Sequence, residues 1–185
     1  MTKQFNFLDL VSLRQSDRGY LDKPVDNEAI KRCIEAARLA PSACNSQPWK
    51  FIVIDEPELK NEVAKATSDK ILPLNHFTIQ APILVVVVRE GANLSSKFGT
   101  IVKKKPYTLI DIGIATEHFC LQAASEGIGT CIIGWFNEKK VKKLLNIPER
   151  KRAELIITLG YRSKEELRKK IRKDFTDIVS YNKYK

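Results

Sequence analysis

Pro41-Ser42-Ala43-Cys44-Asn45-Ser46-Gln47-Pro48-Trp49 divides two patterns. The helical pattern before it stops at Ala40-Pro41. The residues after it, Trp49-Lys50-Phe51-Ile52-Val53-Ile54, are rich in aromatic and β-branched types and read as a strand. Small and amide residues lie between, with backbone N–H groups and short polar side chains able to face a ligand. Loops of this kind on a rigid scaffold are common binding elements. The same residues also suit an ordinary helix-to-strand turn, since Ser, Asn and Pro are turn formers.

Upstream, Phe5 to Leu13 fits a short amphipathic helix with Asn6 as its cap and Phe7, Leu8, Leu10 and Val11 as apolar residues. It runs into Arg14-Gln15-Ser16-Asp17-Arg18-Gly19-Tyr20. If this segment is extended, Arg14, Ser16 and Arg18 leave on one face. Two guanidinium forks and a hydroxyl make an anion site; a solvated charged turn is the alternative. Asp26 caps the next helix, with Ile30, Cys33, Ile34, Ala37 and Leu39 as its expected apolar face. Pro57 starts a helix from about Glu58 to Thr67.

Ile83 to Val88 is a continuous apolar run, the mark of a strand buried on both faces. Lys103-Lys104-Lys105 reads as a solvated loop. Thr108 to Glu126 is the longest helical pattern. Asp111, His118, Gln122 and Ser125 form a narrow polar stripe on it, and apolar residues cover the rest. Such a helix is buried in a core or an interface, which points to a dimer. Gly127-Ile128-Gly129-Thr130 ends it. A dinucleotide fingerprint needs strand, glycines and helix in that order; here the order is reversed. Cys131 to Ile133 forms a strand that exits at Gly134-Trp135-Phe136, and Gly134 allows close approach of the backbone to something flat. Asn137 caps Glu138 to Leu145, and Arg152 to Leu159 is the last strand. The tail is basic through Lys173, with Lys170 and Arg172 repeating the alternate spacing of Arg14 and Arg18.

The length, 185 residues, suits a single domain over 1–185 with a sizeable core. The composition, 43% hydrophobic and 29% charged, is that of a globular protein. The apolar runs are too short to span a membrane, and the N-terminus lacks a secretory pattern, so a cytoplasmic protein is expected. Cys33, Cys44, Cys120 and Cys131 with His76 and His118 give no zinc spacing, and no metal site is expected. The net charge of +10 admits nucleic acid or a phosphorylated small molecule as partner. Nucleic-acid binding calls for basic residues interleaved with exposed aromatics. Here Trp49, Phe51, Phe119 and Trp135 sit in apolar contexts, which favours the small molecule over nucleic acid.

Taken together, the chain resembles the nitroreductase family of FMN-dependent oxidoreductases. Three motifs carry the resemblance in order: Arg-x-Ser-x-Arg at Arg14, Ser16 and Arg18; the Pro41 to Trp49 loop; and the helix from Asp111-Ile112-Gly113 to Gly127-Ile128-Gly129-Thr130, followed by Ile-Ile-Gly-Trp-Phe. The resemblance implies an α+β fold, a three-layer α/β/α sandwich on a mixed central sheet, in an intertwined homodimer. Residues 162–185 would form a C-terminal extension reaching the partner subunit. It implies FMN as cofactor and NADH or NADPH as reductant. Arg14, Gln15 and Ser16 would hold the phosphate and ribityl chain, and Arg18 the pyrimidine edge. Pro41, Ser42, Ala43, Asn45 and Gln47 would come from the other subunit. Ile132, Ile133 and Gly134 would meet the ring near N5, and Lys170 and Arg172 the phosphate. No side chain is catalytic, because flavin N5 carries hydride from NAD(P)H to a small acceptor such as a nitroaromatic or quinone, by a ping-pong route. A second expectation keeps the flavin fold for another reductive reaction, such as dehalogenation or flavin-consuming chemistry. The sequence departs from the family at Asn75-His76-Phe77-Thr78, where a polar side chain and a lysine often meet the flavin, and at Asp174, where the family often has proline.

Overall fold

Caps set most helix starts. In the computed structural model, which describes residues 6–68, 74–91 and 105–184, the Asn6 side chain accepts the Leu8 N–H at 3.2 Å and opens α1 (Phe7–Leu13). Asp26 accepts the Glu28 N–H at 3.1 Å and opens α2 (Asn27–Arg38). Glu56 caps α3 (Pro57–Lys65), whose first residue is the expected proline. Asn137 accepts the Lys140 N–H at 3.0 Å at the start of α5 (Glu138–Leu144). The long helix is α4 (Tyr107–Ser125), and a short α6 (Phe175–Ile178) lies in the tail. Phe5, and Lys103 and Lys104 of the lysine run, lie outside the described residues.

The strands are β1 (Trp49–Ile54), β2 (Ile83–Arg89), β3 (Gly129–Ile133) and β4 (Arg152–Gly160), in the order β1-β2-β4-β3. The three ladders are antiparallel, which corrects the mixed sheet expected from the family resemblance. Ile54 pairs with Leu84, so the connection through α3 returns the chain to the end of the sheet it left, and the neighbours run in opposite directions. Among the described residues, parallel pairing occurs at the isolated bridge between Ser16 and Thr130.

Helices cover both faces of this sheet. Along β2, alternate side chains go to opposite faces. Ile83, Val85 and Val87 join α2 and α4 in one core. Leu84, Val86 and Val88 join α3 and α5 in the other. This explains why the run is apolar at every position. Phe119 of α4 is fully buried and stacks on Phe51, with ring centroids 6.0 Å apart. Leu39, expected on the apolar face of α2, is instead 68% exposed at the helix C-cap. Nine residues after Ile30, it stands half a turn away from the buried face.

Asp111, expected on a polar stripe of α4, is only 3% exposed. On the same helix Leu109 and Ile110 are exposed, as are Phe7 and Leu8 of α1. No helix among the described residues is long and apolar enough to cross a membrane. No cluster of potential metal ligands occurs among them either.

Phe119→Ala should cost about 3–5 kcal/mol in urea unfolding, the range for truncating a buried aromatic. Leu39→Ala should cost less than about 0.5 kcal/mol. Equal losses at the two positions would contradict this placement of the core.

Candidate functional site

The segment after α1 is extended, and it lies along the outer edge of β3. The Asp17 N–H donates to the Thr130 carbonyl at 2.8 Å, and Ser16 bridges Thr130 in parallel. Side chains therefore alternate. Gln15 and Asp17 are buried, while Arg14, Ser16 and Arg18 share the opposite face, as their spacing predicts. Asp17 can sit this close because residue 129 is glycine: a Cβ there would stand 2.7 Å from Asp17 Oδ2.

The tail folds back over this strip. The Ser163 N–H donates to the Gly19 carbonyl at 3.0 Å, and the Arg168 N–H to Gln15 Oε1 at 3.1 Å. Gln15 Nε2 donates to Asp17 Oδ1 at 2.9 Å. The Arg168 guanidinium donates to the Ser16 carbonyl, and Lys170 Nζ to the Ser12 carbonyl. Strip and tail enclose a cleft of about 310 Å3 lined by Arg14, Gln15, Ser16, Arg18, Arg168, Lys169, Lys170, Ile171 and Arg172. No carboxylate lines it. A second cleft beside it adds Arg162 and Lys164 but is also lined by Asp17 and Glu166.

This arrangement favours an anion. Arg14 Nε lies 3.1 Å from Glu117 Oε1, but without hydrogen-bond geometry, and it stays buried with no acceptor. Desolvation, reinforced by Arg14, Arg172, Arg162 and Arg168, pulls the Lys170 pKa below the usual lysine value. Burial pushes the Cys33 and Cys120 thiols up to about 12, so neither is a nucleophile near neutral pH.

Of the expected site residues, the cleft brings together Arg14, Gln15, Ser16, Arg18, Lys170 and Arg172. The amide of Gln15 is engaged by Asp17 and the tail, so its part is to hold the strip and the tail together. Arg168 and Arg162 were missed by the sequence reading. Arg168 continues the even-numbered spacing of Lys170 and Arg172, a cue that was available in the tail.

The other expected residues lie elsewhere. In the Pro41 loop, Cys44, Asn45 and Gln47 adopt left-handed φ values of 52°, 50° and 45°. The Gln47 N–H donates to Ser42 Oγ at 2.9 Å, and its side-chain amide to Asn45 Oδ1 at 2.9 Å. The Ala43 N–H donates to Asp111 Oδ1 on α4 at 3.1 Å. Pro41, Asn45 and Gln47 are exposed. Arg14 meets α4 at Glu117, six residues beyond Asp111; that is about 9 Å along the helix and about 120° around it. Within one chain the loop and the cationic cleft thus contact α4 at different heights and on different sides.

Ile133 is buried, whereas Ile132 is exposed on β3 and Gly134 has no atom within 4 Å of where a Cβ would stand. Asn75, in the segment that departs from the family pattern, donates from Nδ2 to the Trp135 carbonyl at 3.1 Å and to the Thr67 carbonyl at 3.2 Å. It thus pins the exit of β3.

A three-layer fold with helices on both faces of an antiparallel sheet is shared with known proteins. The Nitroreductase family profile matches residues 11–161, and the chain belongs to the nitroreductase family. A protein of Archaeoglobus fulgidus, provisionally named NADH dehydrogenase/NAD(P)H nitroreductase, is 32% identical over 166 residues, covering 86% of this chain and 87% of its own length. An iodotyrosine deiodinase of Thermotoga neapolitana is 26% identical, covering 83% of this chain and 87% of its own length. The crystal structure of a nitroreductase family protein of Streptococcus pneumoniae superposes with a TM-score of 0.83 at 29% identity, over 96% of this chain and 100% of that one. An FMN-dependent nitroreductase of Clostridium difficile gives a TM-score of 0.77 at 25% identity, over 96% and 99% of the two chains.

Gln15→Ala should free the tail, so that trypsin cuts after Arg168, Lys169 and Lys170 faster than in the native protein; an unchanged cleavage rate would show that Gln15 does not hold it. Lys170 gives a pH prediction. Its folded pKa is depressed, so between that value and the usual lysine value the unfolded chain binds more protons. Stability therefore rises with pH across this alkaline window. Inorganic phosphate should move the Lys170 midpoint back upward in an NMR titration, and a midpoint indifferent to phosphate would contradict an anion site.

Proposed function

We propose that the chain is a cytoplasmic, FMN-dependent NAD(P)H oxidoreductase acting as a homodimer. The observation that carries this reading is the cleft in which Arg14, Arg18, Arg168, Lys170 and Arg172 meet with no lining carboxylate. An FMN phosphate brings about −1.5 to −2 charges at neutral pH. Burying it calls for several guanidinium or ammonium donors. Arg14 Nε, buried beside Glu117 but not hydrogen-bonded to it, and Lys170, with its pKa lowered among arginines, both fit such an anion.

Arg14, Lys170 and Arg172 would hold the phosphate, joined by Arg168, and Ser16 the ribityl chain. Arg18 would stand at the pyrimidine edge, where a fixed positive charge tunes the ring. Ile132, Ile133 and Gly134 would meet the ring face, with Gly134 leaving room for it. When bound, FMN supplies a two-electron carrier that takes hydride at N5 from NADH or NADPH and passes it to a small acceptor such as a nitroaromatic or quinone. No side chain of this chain is assigned a nucleophilic or acid–base step.

The separation of loop and cleft on α4 supports a site completed by Pro41, Ser42, Ala43, Asn45 and Gln47 of a second copy. Exposed Phe7, Leu8, Leu109 and Ile110 offer an apolar face for that contact. Exposed Phe175, Ile178 and Tyr181 would let residues 162–185 embrace the partner. One second reading has specific support: the iodotyrosine deiodinase relative points to reductive dehalogenation on the same site.

Purified protein should show flavin absorbance and release about one FMN per chain on heating. Arg14→Ala or Lys170→Ala should raise the FMN Kd by roughly tenfold to a hundredfold, as loss of a charged hydrogen-bond partner implies. Steady NADH- or NADPH-dependent nitroarene reduction supports the first reading; deiodination of an iodophenol without it supports the second. A colourless protein that takes up no added FMN would overturn both.

A further inference from the structure

The Pro41 loop holds an unusual backbone. Cys44, Asn45 and Gln47 all lie in the left-handed region. Asparagine tolerates it, but cysteine and glutamine have no intrinsic preference for it, so surrounding contacts must impose it. One such contact comes from α4. Asp111 is 3% exposed, and its Oδ1 accepts the Ala43 N–H at 3.1 Å, directly before the first left-handed residue. Its second oxygen, Oδ2, is buried with no hydrogen-bond partner. A buried carboxylate with one oxygen unsatisfied is costly. It persists where the bond it does make matters.

We infer that Asp111 is a positioning residue: through the Ala43 amide it fixes the left-handed turn of the Pro41–Trp49 loop in the form that contacts the cofactor. The inference rests on the proposed FMN site. Asp111 touches neither cofactor nor substrate in this assignment. It acts through the loop, whose Ser42 and Gln47 close a second hydrogen bond around the same turn.

The tether can be cut from either side. Asp111→Ala removes the acceptor, and Asp111→Asn removes the charge but keeps the Oδ1 acceptor. Ala43→Pro removes the donor. Ser42 is already extended, at φ −146° and ψ 154°, the conformation required before proline. D111A should raise the FMN Kd about tenfold or more. It should also speed amide hydrogen exchange at residues 44–47 in the FMN-free protein. D111N should stay within about threefold of the native protein in both measurements, and A43P should reproduce the affinity loss. Because both changes cut one tether, D111A combined with A43P should bind FMN no more weakly than either alone.

Native affinity in D111A or A43P, D111N as weak as D111A, or fully additive losses would overturn the role. If D111A fails to fold, A43P and D111N decide the matter. The exchange measurement needs no cofactor. A native chain that takes up no FMN therefore sinks the functional reading, while unchanged exchange in the FMN-free variants sinks the tether.

Discussion

The hydrogen bond from the Asp17 amide to the Thr130 carbonyl, 2.8 Å long, seats residues 14–18 on the outer edge of β3. Strand alternation then sorts the side chains: Gln15 and Asp17 inward, Arg14, Ser16 and Arg18 outward. A slip of one residue would bury the arginines and expose the carboxylate. The absence of a side chain at Gly129 makes room for Asp17 and so helps fix the register. Gln15, turned inward, holds Asp17 and the tail at Arg168. The tail then adds Arg168, Lys170 and Arg172 to the outward face. The cationic cleft thus follows from one register.

Gathering like charges works against the folded state, and the Glu117 carboxylate beside Arg14 offsets it in part. Exposed pairs elsewhere, such as Lys31–Glu28 and Arg38–Glu35, follow the usual pattern of opposite charges at helical spacing. The cleft breaks that pattern. Such local violations are supported by the rest of the fold and tend to mark functional sites. Here the support is the two apolar layers on the sheet, from Phe119 on one side to Val141 on the other.

Much of this was legible in the sequence because it depends on local chemistry. Asn6, Asp26 and Asn137 announced their helices as caps. The spacing of Arg14, Ser16 and Arg18 gave their common face, and the apolar run in β2 gave a strand buried on both sides. What stayed hidden depends on long-range placement. Strand direction was one such feature: the pairing of Ile54 with Leu84 is set by the return path of the chain, not by either strand's composition. The burial of Asp111 was another, since its place on a polar stripe does not show that the Pro41 loop packs against it and that the Ala43 N–H donates to it. The bond of the Gln15 amide to the tail at Arg168 was also hidden, because it joins residues far apart in sequence. Leu39 was misassigned by counting apolar residues rather than angles around the helix.

The central claim is that a complete site needs the cationic strip of one copy and the Pro41 loop of another. Mixed dimers test it most directly. One variant carries Arg14→Ala and Lys170→Ala, the other Ser42→Ala and Gln47→Ala, each impaired alone in FMN binding. A mixed dimer has one site built from two intact halves and one built from two damaged halves. The expected result is about one tightly bound FMN per mixed dimer, with activity restored to about half the native level. Mixed dimers that bind no FMN tightly would show that strip and loop serve the same site within one chain, and would contradict the claim.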